Sequence, residues 1–270
     1  MRILARGSGP PVLFLHGIPT NGCLWNGIVE RLASEFLCIA VDLPPEGFRD
    51  LTALAASLED IRIEHKIDKW HVVGHDGGCA VAVHYAHSFQ GCVERLALLS
   101  PSMFPELKPF RLFEVLRKPV IGEVMAPWIN LLFWNVVMRL ALKGNREIVK
   151  DFQRPFDGLR GGWRLMSLLR WGHPAEVLAS IPLLLPGILA PTLIFHGSKD
   201  PAVPVAFARR ACDLTPNSEL ILLDSGHFLP VSEPVAVAQE LLRFFQSDER
   251  SMVAAVGCYR AAVTAAGIPR

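Results

Sequence analysis

The chain has 270 residues, of which 51% are hydrophobic and 20% charged, with a net charge of +1. So apolar and so weakly charged a chain is not disordered, and its balanced charge leaves no basic surface for nucleic acid. The length suits one large α/β domain or two small ones, and a mean hydropathy of +0.31 asks for an apolar pocket, a buried interface or contact with a membrane.

A strand is predicted over residues 1–6, too short an apolar run for a signal peptide. Gly7-Ser8-Gly9-Pro10-Pro11 is a turn. Val12-Leu13-Phe14-Leu15 is a continuous apolar run, as in a central parallel strand covered on both faces. It runs into His16-Gly17-Ile18-Pro19, where a backbone N–H can be aimed at a neighbouring turn. His16 is expected to bond loop backbone. A helix is predicted over residues 24–37, with Trp25, Ile28, Val29 and Leu32 on one face. The next strand is 38–43, where Asp42 should end the strand and bond loop amides. A helix over 51–65 follows.

The strand Trp70-His71-Val72-Val73 leads into Gly74-His75-Asp76-Gly77-Gly78, and a helix is predicted from Cys79 to Ser88. This is the strand–turn–helix pattern Gly-x-nucleophile-x-Gly, with glycines where the turn is sharp. The usual serine is replaced by Asp76. His75 reads as a packing residue. Another strand is expected at Leu96–Leu99. Strands and helices alternate throughout, which argues for a mostly parallel sheet with helices on both faces.

After Ser100 the rhythm changes to helical patterns without a clear strand. Residues 119–142 are strongly apolar, and a second helix is predicted over 158–171. Pro127, Asn130, Asn135 and Arg139 interrupt the apolar run, so no membrane span is expected. The reading is a soluble helical cap over an apolar pocket, with a membrane-touching cap as the alternative. The α/β rhythm resumes with a strand at 192–197, followed by Ser198-Lys199-Asp200-Pro201 and a helix over 205–213. The last strand expected is 219–223, followed by Asp224-Ser225-Gly226-His227-Phe228 and a closing helix over 234–245 begun by Glu233. The expected units are a catalytic core in two parts, 1–103 and 191–247, a cap at 104–190, and a tail at 248–270. The tail is Ala-rich, helical in character and without a place in the sheet.

Asp76, Asp200 and His227 each follow a predicted strand, at the sheet end where reacting groups gather. Asp200 also suits a helix N-cap. The order nucleophile, acid, base is that of the α/β-hydrolase fold. A carboxylate attacking an ester would form an unstable anhydride. Attack at an sp³ carbon forms an alkyl ester instead. His227, oriented by Asp200, would then activate water. The backbone N–H groups of Ile18 and Gly77 would hold the oxyanion.

On these residues the chain resembles the aspartate-nucleophile branch of the α/β-hydrolase fold, which includes epoxide hydrolases and haloalkane dehalogenases. The resemblance implies opening of an epoxide on a bulky apolar molecule, with displacement of halide as the alternative. A non-hydrolytic use of the fold, as a cyclase or a ligand-binding module, is the third reading. Epoxide hydrolases present cap tyrosines, yet Tyr85 and Tyr259 both lie outside the cap. Trp128, Trp134, Trp163, Trp171 and His173 are therefore the candidate cap donors, with Phe228 as a further wall residue. Dehalogenases place Trp after the nucleophile and often Asn in the His-Gly-x-Pro loop, where this chain has Gly77 and Ile18. No cofactor or metal is expected. The six cysteines, Cys23, Cys38, Cys79, Cys92, Cys212 and Cys258, are scattered and suit a reduced, cytoplasmic protein. The expected partner is an apolar small molecule, and a second copy of the chain is the candidate protein partner.

Overall fold

The computed structural model describes residues 1–108, 111–158, 160–171, 175–247 and 259–261. Strand β1 (Arg2–Arg6) pairs antiparallel with β3 (Leu37–Asp42), and β3 pairs parallel with β2 (Pro11–Leu15). The sheet continues in parallel through β4 (Trp70–His75), β5 (Val93–Leu99), β6 (Thr192–Gly197) and β7 (Ser218–Leu223). The order is β1-β3-β2-β4-β5-β6-β7, with a short β8 (Tyr259–Ala261) pairing parallel with β7.

Alternation along β2 explains why the sheet is covered twice. Val12 and Phe14 face one core, shared with Trp25 and Ile28. Leu13 and Leu15 face the other, shared with Leu58 and Val81. A strand whose successive residues all find apolar partners must lie between two helical layers.

Helices α1 (Asn26–Leu32), α2 (Leu51–Glu64) and α3 (Gly78–Ser88) lie in the first part of the chain. Between β5 and β6 come α4 (Arg111–Arg117), α5 (Ile121–Leu132), α6 (Met138–Ala141), α7 (Arg146–Gln153), α8 (Gly161–Trp171), α9 (Ala175–Leu178) and α10 (Ile181–Leu184). This stretch is helical, as its pattern predicts. A π-helical turn at Phe133–Val137 joins α5 to α6. Helices α11 (Val205–Leu214), α12 (Leu229–Ser232) and α13 (Pro234–Gln246) complete the fold.

Two sequence expectations are corrected. The helix predicted over 24–37 is a 3-10 turn at Gly22–Trp25 followed by α1, which stops at Leu32. Phe36 is instead buried edge-on against His71 and Phe245, and Leu37 starts β3 with its N–H on Pro10 O at 3.0 Å. The tail, expected to have no place in the sheet, supplies β8. The outer edge of β7 is an open row of backbone donors and acceptors, and the extended Tyr259–Ala261 segment satisfies three positions of it. The rest of the tail lies outside the described residues.

Candidate active site

β4 and α3 meet at Asp76, whose φ of +52° lies in a region that non-glycine residues seldom occupy. The surroundings impose it. Asp76 N–H donates to Leu99 O at 3.0 Å, and the N–H groups of Cys79 and Ala80 bond back to Asp76 O and Gly77 O. Gly78 allows α3 to pass the end of β2, because a Cβ there would stand 2.6 Å from His16 O. Such over-determination is what lets a strained conformer persist.

The loop after β2 closes on the same carboxylate. Ile18 N–H donates to Asp76 Oδ2 at 2.9 Å. Gly17 is required beside it, since a Cβ there would lie 2.8 Å from Asp76 Cγ. His16 holds the loop as expected. Its Nδ1–H donates to Gly17 O and its Nε2 accepts from Leu43 N–H, both at 2.8 Å. One donating and one accepting nitrogen define a neutral ring, and burial pulls its pKa down accordingly. Asp42 accepts from Gly22 N–H at 2.7 Å, the loop-amide bond predicted for it.

β6 and β7 deliver the other two groups. His227 Nδ1 lies 2.8 Å from Asp200 Oδ2. Asp200 Oδ1 accepts from the N–H groups of Ala202 and Val203 at 2.8 and 2.9 Å. Asp200 therefore caps its own turn and orients the histidine at once. His227 Nε2 stands 3.6 Å from Asp76 Oδ1. The His227 carbonyl accepts from His75 Nε2–H and from Ser100 Oγ–H, each at 3.0 Å. His75 is thus the packing residue its position suggests. Burial, then the neighbouring His227 charge, pushes its pKa down to about 4.

The charge state of His227 follows from its two carboxylates. Burial disfavours the imidazolium, but Asp200 and Asp76 outweigh it and push the pKa up to about 10. Burial likewise opposes the Asp200 charge, and His227 with the two backbone N–H groups overrides it, holding Asp200 below the ordinary value. These shifts favour an imidazolium between the two carboxyl groups. The stability that this pairing contributes is fully present below the ordinary histidine pKa and is lost as pH rises through about 10. NMR of the imidazole nitrogens, assigned with His227→Gln, should show His227 protonated at pH 8 in the free protein. In Asp76→Asn, which lacks one carboxylate, its titration should move to lower pH.

Asp76 and His227 open into a cavity of about 110 Å³. Ile18, Phe104, Phe113, Leu169, Leu178 and Val203 make most of its wall apolar, and Ser102, Lys108 and Arg117 add polar groups. The sequence reading missed Ser102, Lys108 and Arg117, which stand in no motif. Arg117 donates from Nε to Leu169 O at 3.1 Å and stays cationic at any working pH.

Of the candidate cap donors, Trp128, Trp134 and Trp163 are not part of this wall. Trp134 is fully buried and donates to Asn130 Oδ1 at 2.9 Å, inside the insertion's own core. Trp163 donates to Glu123 O at 3.1 Å. That carbonyl lacks its helical partner because residue 127, four positions on, is proline inside α5. Trp128 is 68% exposed on the outer surface. Phe228 packs edge-on against His227, with ring centroids 5.0 Å apart, and lies behind the histidine instead of in the wall. The Trp171 side chain and His173 lie outside the described residues.

The family model described as alpha/beta hydrolase fold matches residues 10–234. The chain belongs to this family. It is an α/β hydrolase, and an aspartate at the turn after β4 is consistent with the aspartate-nucleophile branch. A pimeloyl-[acyl-carrier protein] methyl ester esterase of Vibrio vulnificus is 29% identical over 265 residues, covering 88% of this chain and 95% of that protein. A soluble epoxide hydrolase of a Corynebacterium species is 35% identical over 115 residues, 40% of this hydrolase and 39% of that one. The solved structure of a haloalkane dehalogenase from Bradyrhizobium elkani superposes with a TM-score of 0.75 at 25% identity, covering 94% of each chain.

Proposed function

We propose that this α/β hydrolase hydrates an epoxide through an alkyl ester on Asp76. The observation that carries the reading is the aspartate itself, held at positive φ with Ile18 N–H at 2.9 Å and His227 Nε2 at 3.6 Å. Among the described residues no tyrosine or tryptophan lines the cavity. A halide cradle of tryptophan is therefore missing from the described wall, and so is a tyrosine acid. His227 is the group protonated at neutral pH beside the nucleophile, and we assign it the acid role.

The steps balance. Asp76 attacks an epoxide carbon, the ring C–O bond breaks, and the opening oxygen takes the Nε2 proton of His227. Neutral His227 then removes a proton from water, whose oxygen adds to the Asp76 acyl carbon. Ile18 and Gly77 N–H groups hold the oxyanion. The acyl–oxygen bond breaks, the acid proton passes to the leaving oxygen, and diol, carboxylate and imidazolium are restored. Esterifying Asp76 removes one of the two charges that hold the proton on His227, so the histidine becomes a base at the step that needs one.

Lys108 and Arg117 refine the substrate. An apolar wall that holds Lys108 and Arg117 and, among the described residues, no acid besides Asp76 suits an apolar body carrying a carboxylate. Arg117→Leu should raise KM for acidic epoxides by about 10- to 100-fold and leave neutral epoxides unchanged. Initial-rate kinetics on matched acid and amide substrates measure this.

The reaction itself is tested by a single turnover in ¹⁸O-water over a panel of epoxides and haloalkanes. An ester on Asp76 predicts unlabelled product and one ¹⁸O retained in the Asp76 carboxylate, read by peptide mass. Label in the first-turnover product, with none in the protein, would mean direct attack by water and would refute the covalent cycle.

A further inference from the structure

We propose that the outer face of the α5–α6 helix docks this protein on an anionic lipid surface, lying along the interface. The continuous helical stretch Ile121–Ala141 has 21 residues, about 30 Å at the α-helical rise. It is apolar on two faces. One packs inward through Ala126, Ile129, Phe133 and Trp134. The other holds Val124, Trp128, Leu131, Leu132, Val136 and Leu140, all exposed, Leu140 by 76%. A row of large apolar side chains over five turns far exceeds the scattered exposure normal on a soluble surface. The inward packing also excludes a span, since crossing a bilayer would strip that face from the core.

Charge identifies the occupant. No Asp or Glu occurs from Val124 to Arg146, and exposed cations stand at both ends of the stripe: Lys118 before it, Arg139, Lys143 and Arg146 at its far end. Glu123 is tied to Arg170, and Lys143 has Glu233 at 3.4 Å. Exposed Trp163 lies beside the stripe on α8, with Arg160 and Arg164 around it. Apolar side chains between cations, with tryptophans among them, are the pattern of a helix seated in a headgroup layer. A second copy fits less well. A two-fold pairing would set the same acid-free, basic stripe against itself. The helix that carries the face follows, in the chain, one that lines the cavity. Phe113 and Arg117 on α4 line the cavity, Lys118 follows directly, and α5 starts three residues later at Ile121. Docking would thus bring the cavity to the layer where an apolar substrate with an acidic end concentrates.

The test is co-sedimentation of the full chain with phosphatidylcholine vesicles, with and without phosphatidylglycerol. Wild type should pellet with the anionic vesicles and weaken with salt. Arg139→Glu with Arg146→Glu should weaken binding by at least about 25-fold, near fivefold for each cation removed with the added repulsion on top. Trp128→Asp with Leu131→Glu should lose at least about tenfold. Both variants alter only exposed side chains, and circular dichroism with thermal melting checks that each is folded. Absence of pelleting by wild type, indifference to lipid charge, or unchanged binding by folded variants would each overturn the proposal. So would a wild-type dimer that the Leu131→Glu change dissociates, which would give the face to a second copy. The readout is binding, so its outcome does not depend on the chemistry at Asp76.

Discussion

Asp76→Asn is expected to lower kcat by a factor on the order of 10⁴ or more while leaving the protein folded. The amide is close to the carboxylate in shape and can still accept from Ile18 N–H, the 2.9 Å bond that orients Asp76. It is not a nucleophile, so no alkyl ester can form. Asparagine also tolerates positive φ better than most residues, and the φ of +52° at this position is the local strain. This relief opposes the lost attraction between Asp76 and the His227 imidazolium, so the variant should melt close to the wild-type temperature. Steady-state rates on a substrate that wild type turns over, together with a thermal melt, decide it. Full activity in Asp76→Asn would show the fold serving as a shaped pocket, with no covalent cycle.

His227→Gln is expected to separate the two steps and the two substrate classes. Without the imidazole no base activates water, so hydrolysis of the ester should fall by about 10²- to 10⁴-fold. A haloalkane needs no acid to release halide. It should therefore alkylate Asp76 at a nearly unchanged rate and leave one stable adduct per protein, visible by intact mass. An epoxide needs a proton on its opening oxygen, and His227 supplies it in the proposed cycle. Alkylation by an epoxide should therefore slow as well, again by about 10²- to 10⁴-fold. Rapid epoxide adduct formation in this variant would take the acid role from His227 and give it to another cavity group, with Ser102, Lys108 and Arg117 the first to test. The wild-type pH profile carries the same information. Epoxide opening should decline as pH rises through about 10, where the imidazolium is lost, while halide displacement should not.

The reading of Trp128, Trp134 and Trp163 as cavity donors fails for a reason of its own. Helical spacing says that a residue lies on a face, and a helix in this insertion has more than one apolar face. Trp134 points into the insertion's core, Trp128 points outward, and Trp163 answers the carbonyl freed by Pro127. A proline inside a helical pattern does announce an orphan carbonyl four residues earlier. What it does not announce is which distant side chain will satisfy it. The end of α1 is a similar case. Leu32, Phe36 and Leu37 continue the apolar periodicity, but packing of Phe36 against His71 and Phe245 ends the helix early.

Strands β1 to β7 and the order of the reacting groups are legible in the sequence, while β8 is not. Buried parallel strands leave continuous apolar runs, and the residues that follow them must gather at one sheet edge. Asp76, Asp200 and His227 were legible for that reason, as were the loop roles of His16 and Asp42. The tertiary structure alone decided the chemistry of the wall and the charge of the base. Arg117 and Lys108 join the cavity from a helix and a loop that carry no motif. The His227 pKa is raised because two carboxylates, 151 and 27 residues away in sequence, stand 3.6 and 2.8 Å from its ring nitrogens. Electrostatic shifts depend on distance through space, and folding sets those distances between residues that the chain keeps far apart.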